Sequence, residues 1–186
     1  VTPALTPDGG VLAFASGASD LVPGDTNGVA DIFVRDLGSG GIRLVSVPEG
    51  SAEGANGPST GPLVSADARY VMFESLASNL VSSDLNGHSD IFVRDLAAGT
   101  TRLVSVNDTG TGSGNDASYS PATTPDAQVV VFASLASDLA PGDTNSGSDV
   151  FWRDLSRATN VLVSLNADGT GAGNQPACCA SVSADG

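Results

Sequence analysis

The sequence predicts an all-β protein made of three copies of one four-stranded antiparallel unit. Three observations carry this expectation. The motifs TPDG, SADA, TPDA and SADG place Asp8, Asp67, Asp126 and Asp185 at a constant spacing of 59 residues. An acidic turn followed by one apolar run also recurs, as PGDTNGVADIFVRDL at 23–37, SSDLNGHSDIFVRDL at 82–96 and PGDTNSGSDVFWRDL at 141–155. Finally, the apolar segments are short runs of Val, Ile, Leu and Phe bounded by Gly, Pro, Asp and Asn, and none sustains a helical period. Self-similarity at a fixed period marks a stacked or ring-like array. The units are 1–59, 60–118 and 119–177, and residues 178–186 begin a fourth.

Each unit reads in the same order. PALT leads into a turn at PDGG, then a second strand, VLAFAS, whose counterparts are YVMFES and VVVFAS. A long loop follows, then DIFVRDL as a third strand, a Gly-rich or polar turn, and IRLVSV as a fourth, repeated as TRLVSV and NVLVSL. Strands that are apolar throughout, such as VVVFAS, should have both faces covered. Polar, Gly-rich segments such as NDTGTGSGNDASYS read as crossings from the outer edge of one sheet to the inner strand of the next.

Composition narrows the partners. The 186-residue chain has 21 acidic residues against 7 arginines, no lysine, and a net charge of −14. It should repel phosphate backbones and anionic lipid surfaces, which argues against nucleic-acid and membrane partners, and it suits cations. With 40% hydrophobic residues it is not a disordered chain. No apolar stretch approaches the ~18 residues of a membrane helix, and no basic leader is visible. A first residue of Val rather than Met suggests a processed chain or a piece of a longer one.

The order P-x-x-[ST]-x-D-[GA], V-x-F-x-S, D-I-F-V-R-D-L, R-L-V-S resembles the TolB-type, WD40-like β-propeller repeat, over the whole chain. The resemblance implies blades of four antiparallel strands, three in this chain, with the SADG turn after the innermost strand. Each unit exceeds the usual blade of about 40–50 residues, and most of the excess lies in the loop between the second and third strands. A propeller implies no particular activity.

That loop carries the candidate metal ligands: Asp25, Asn27 and Asp31; Asp84, Asn86 and Asp90; Asp143, Asn145 and Asp149. Oxygen-bearing side chains at alternate positions of a tight turn, closed by a carboxylate at the seventh, suit calcium, which takes about 6–8 oxygens and accepts irregular loops. The pattern is similar to the calcium loops of integrin-type propellers and thrombospondin-type repeats. Backbone oxygens, or Asp20, Asn79 or Asp138, could complete a shell. The alternative is that Asp and Asn only form Asx turns, with Gly supplying a positive φ. In the third unit the Gly moves one place while all three oxygen donors stay, which favours calcium.

Other candidates for chemistry are weaker. The Arg-Asp pairs Arg35–Asp36, Arg94–Asp95 and Arg153–Asp154 point to opposite faces of a strand, so each reads as structural: Asp for the turn, Arg for a carboxylate on the adjacent blade. GPSTG at 57–61 matches a nucleophile pattern around Ser59, but in a crossing loop without the strand–turn–helix setting. His88 is the only histidine and replaces Val29 and Gly147, a tolerant surface position. Glu74 stands where the other units have Ala15 and Ala133, and reads as a solvated edge. Cys178 and Cys179 are either free buried thiols, a vicinal bridge, or bridges to another chain. The Cα separation of about 3.8 Å for neighbours lies below the usual 4.4–6.8 Å.

A closed propeller needs about 4–8 blades, so three units and an inner strand do not close. Partners should be further repeats or other copies of the chain, and protein or glycan partners stay open. The expected function is a non-catalytic, calcium-stabilised scaffold or interaction module, secreted or periplasmic, that self-assembles into a ring or filament. Alternatives are the accessory propeller of a secreted hydrolase and a glycan-binding propeller.

Overall fold

The computed structural model describes residues 2–186. Among these residues twelve strands form three separate antiparallel sheets of four, each in simple sequence order. The first contains β1 (Ala4–Leu5), β2 (Val11–Ser16), β3 (Asp31–Asp36) and β4 (Ile42–Leu44). The second contains β5 (Ser59–Val64), β6 (Tyr70–Ser75), β7 (Asp90–Asp95) and β8 (Thr100–Leu103). The third contains β9 (Ser118–Thr123), β10 (Val129–Ser134), β11 (Asp149–Asp154) and β12 (Thr159–Leu162). The chain is all-β, with blades of the expected kind.

The register repeats from blade to blade. Phe14, Phe73 and Phe132 lie opposite Phe33, Phe92 and Phe151, and each pair stacks with ring centroids 5.7–5.9 Å apart. The first turn repeats as well. Thr6, Ser65 and Thr124 each donate a hydroxyl to the Asp two residues on, and that Asp accepts the backbone N–H of Gly10, Arg69 or Gln128. The residue after the Asp takes a positive φ, as Gly9, Ala68 and Ala127.

Blades pack face to face, in line with the apolar strands. Along β6, Val71 and Phe73 enter the core shared with the first blade, while Met72 enters the core shared with the third. Strand alternation thus sends successive side chains into two different interfaces. The two outer blade faces are less buried than the inner ones. Leu12 and Phe14, the counterparts of buried Val71 and Phe73, are partly exposed. At the opposite end Val163 is 51% exposed, whereas its counterparts Val45 and Val104 are fully buried.

Residues 178–186 form no strand. The approach to them is nonetheless that of an inner strand. Ala177 N–H donates to Ser148 O, as Ser59 does to Ala30 O and Ser118 to Ser89 O. Cys179 takes φ 61°, matching Gly61 at 61° and Ser120 at 55°. Those two residues interrupt the registers of β5 and β9 as bulges. The terminal segment therefore keeps an inner-strand turn without a sheet to join. Cys178 and Cys179 are joined as a vicinal disulfide, both exposed.

Candidate functional site

The D-x-N-x-x-x-D loops connect the second strand of each blade to the third, and the last Asp is the first residue of β3, β7 or β11. That residue is fully buried and ties two strands together. Asp31 Oδ1 accepts the hydroxyl of Ser46, whose Oγ in turn accepts the Ile32 N–H at 2.9 Å. Asp90 with Ser105, and Asp149 with Ser164, repeat the arrangement.

The Asn is a second tie. Asn27 Nδ2 donates to Asp31 Oδ2 at 2.6 Å and to Ala55 O at 2.7 Å, and Asn86 does the same with Asp90 Oδ2 and Gly114 O, both at 2.8 Å. Asn145 reaches Gly173 O at 2.6 Å. The Asn Oδ1 of each loop accepts the N–H two residues on, from Val29, His88 or Gly147, which makes an Asx turn. The crossing loop is thereby pulled down onto the acidic loop. Its approach is close: a Cβ on Gly54 would lie 2.4 Å from Asn27 Nδ2 and 3.1 Å from Asp31 Oδ2.

The first Asp of each loop behaves differently. Asp25 and Asp84 are 3% and 2% exposed, and neither carboxylate oxygen of either residue has a hydrogen-bond partner. Asn86 N–H and the Ser113 hydroxyl lie near enough to Asp84 to oppose the rise in its pKa, yet neither forms a well-made bond. In the third blade Asp143 is half-buried, and it is Asp149 Oδ2 that lacks a partner. Burial raises the pKa of Asp31, Asp84 and Asp143. Asp90 is pushed up to about 7, chiefly by burial, with Asp84 and Asp138 adding repulsion. Each loop therefore brings two carboxylates together. Among the described residues, no group of three or more His, Cys, Asp and Glu side chains is arranged to hold a metal.

The auxiliary oxygens lie on the next blade. Asn79 Oδ1 accepts Asn56 N–H and Asp138 Oδ1 accepts Asn115 N–H, both at 2.9 Å, so each grips the crossing loop that precedes its own blade. Asp138, Asn86 and Ser113 line one cleft beside the second loop. Sequence spacing alone does not show that the position 59 residues beyond Asp20 or Asn79 serves the loop of the previous blade.

Three expectations are corrected. Ser59 does not lie in a crossing loop but opens β5; it is fully buried and donates to Ser75 Oγ at 2.9 Å. Glu74 is not a solvated edge: it sits on β6, between β5 and β7, accepts Ser89 Oγ at 3.0 Å and reaches Ser120 N at 3.4 Å in the third blade. The strand arginines do not pair with carboxylates across blades. Arg94 and Arg153 donate to Thr101 Oγ1 and Asn160 Oδ1 at 2.9 and 2.7 Å, because the fourth strand of the same sheet is nearer. The Asp half of that reading matches the turns: Asp36, Asp95 and Asp154 each accept two backbone N–H groups of the following turn. His88 is exposed, 3.8 Å from Asp116.

No protein-family model matches the chain, and no curated protein does. Solved structures do. TolB from Acinetobacter baumannii superposes with a TM-score of 0.57 at 24% identity, over 100% of this chain and 35% of that one. A protein described as TolB from Agrobacterium tumefaciens gives 0.54 at 20% identity, over 95% and 54%. The β-propeller domain of the Trilobed protease from Pyrococcus furiosus, described as having an open velcro topology, gives 0.51 at 13%, over 87% and 40%. The chain spans about a third to a half of the length of these proteins. What it shares with them is the fold: three consecutive blades of a TolB-like β-propeller.

Proposed function

We propose that the chain is a non-catalytic scaffold module, secreted or periplasmic, that works by docking another blade of its own kind. The carrying observation is the uncovered face of the third blade. Val163 and Leu165 are 51% and 46% exposed, while their counterparts Val45 and Val47 are 0% and 5% exposed in the first blade. The residues that meet a neighbouring blade twice within the chain thus recur a third time without one. Partly exposed Leu12 and Phe14 present the matching face at the other end. Burying an apolar face of this type is worth roughly 25 cal/mol per Å². The blade that fills it is a further repeat or a second copy, and unlike end faces generate a ring or a filament.

A secreted or periplasmic setting agrees with the vicinal disulfide, since such bonds persist in oxidising compartments. Among the described residues no helix is long and apolar enough to cross a membrane. Buried Ser59, exposed His88 and structurally engaged Glu74 support a non-catalytic reading. A second reading, an accessory propeller beside a catalytic domain, is favoured by the likeness to the protease propeller.

Light scattering at micromolar concentration tests the proposal. The chain should form dimers or larger species, and Val163→Asp with Leu165→Asp, or removal of residues 178–186, should weaken them. A folded monomer indifferent to these changes would reject association between copies.

A further inference from the structure

We infer that the loops of the first two blades each hold a calcium ion at a blade boundary, anchored by Asp25 in one and Asp84 in the other. The central observation is a pair of buried carboxylates whose four oxygens have no partner. Nearly all buried polar groups are satisfied, so four such oxygens at equivalent positions call for an occupant. No arginine pairs with either residue, and the chain contains no lysine. A water would donate hydrogen bonds but bring no positive charge to the two acidic side chains that each loop brings together. A divalent cation neutralises both members of each pair.

The donor set selects calcium. It consists of carboxylates, an Asn oxygen and backbone in an irregular loop, with no cysteine and no buried histidine, which excludes a soft-metal site. Magnesium demands near-octahedral geometry and keeps its waters, whereas calcium tolerates an irregular shell. Asn27 and Asn86 already accept an Asx-turn hydrogen bond through Oδ1, which retains a second lone pair. In the second blade Asp138 of the third blade lies near enough to Asp90 to repel it and lines a cleft with Asn86, so the ion would lie between blades. Asp143 is only half-buried, and its oxygens are not among those buried without a partner.

Isothermal titration of the EDTA-stripped chain with calcium chloride tests this directly, whatever its oligomeric state. Two ions should bind, half-saturating at about 10⁻⁴–10⁻³ M, and the melting temperature should rise with calcium more than with magnesium. Asp25→Asn and Asp84→Asn should each remove one ion. In EDTA neither should melt below the parent chain, because the isosteric amide removes a buried charge. Asp168→Asn, an exposed acid outside the loops, should keep both ions. Absence of binding at about 10⁻² M calcium, ten times the weakest expected affinity, would overturn the inference. So would unchanged stoichiometry in the Asp25 and Asp84 variants. Three equivalent ions would refute the between-blade placement.

Discussion

Asn160 of β12 donates from Nδ2 to the carbonyl oxygen of Val106 in the preceding blade at 2.6 Å. The same amide group reaches Leu139 O at 2.9 Å, and its Oδ1 accepts Arg153 Nη1 at 2.7 Å. One repeat earlier Thr101 Oγ1 donates to Val47 O at 3.2 Å while accepting Arg94 Nη1 at 2.9 Å. An arginine on the third strand, a polar residue on the fourth and a carbonyl of the previous blade thus form a relay across each internal interface. The relay in the third blade is the tighter one, because Asn160 closes two carbonyls at once.

Asn160→Ala should therefore be costly. It frees the carbonyls of half-buried Val106 and buried Leu139 and removes an acceptor from Arg153, whose Nε already lacks a partner. A loss of about 2–3 kcal/mol is expected, or roughly 4–12 °C in melting temperature for a chain of this size. Thr101→Val, which removes the longer bond to Val47 O and the acceptor of Arg94, should cost about 1–2 kcal/mol. Denaturant unfolding checks both, and an Asn160→Ala loss under about 0.5 kcal/mol would show that the relay is incidental.

The first-turn residue predicts a gain. Ala68 holds φ 58° where the first blade has Gly9 at 72°. An L-residue in that region costs about 1–2 kcal/mol, and the entropy of an added glycine returns part of it. Ala68→Gly should stabilise the chain by up to about 1 kcal/mol. Ala127→Gly should gain less, since the Ala127 methyl is buried and its contacts are lost. Equal destabilisation in both variants would show that the strain is relieved elsewhere.

Asp95 supplies the pH dependence. Its hydrogen bonds from Arg69 come first among the causes that hold its pKa down to about 2, with turn N–H groups assisting. The folded value lies below the unfolded one, near 3.9. The contribution is therefore present above about pH 4 and disappears as pH falls through about 2. Arg69 is half exposed, so solvent screens the pair and its contribution is small. Arg69→Gln should lower stability slightly at pH 6 and by clearly less at pH 2. A difference that persists unchanged at pH 2 would assign the effect to packing of Arg69 on the Tyr70 ring, 4.9 Å away.

The sequence by itself determined the blade. The 59-residue period, the strand-type runs and the Asp-Gly or Asp-Ala turns reappear as three sheets in sequence order with matching register. These are local properties: alternation along a strand and the backbone demands of a turn act over a few residues. The tertiary structure decided which oxygens remain unpartnered and which residues meet across blades. Asp25, Asn27 and Asp31 read as equal donors in sequence, yet Asn27 and Asp31 bind each other and the crossing loop, and Asp25 is left alone. Glu74 and Asn160 likewise carry no local signal, because their partners lie 46 and 54 residues away. A side chain's burial depends on the neighbouring blade, and only packing brings that blade into place.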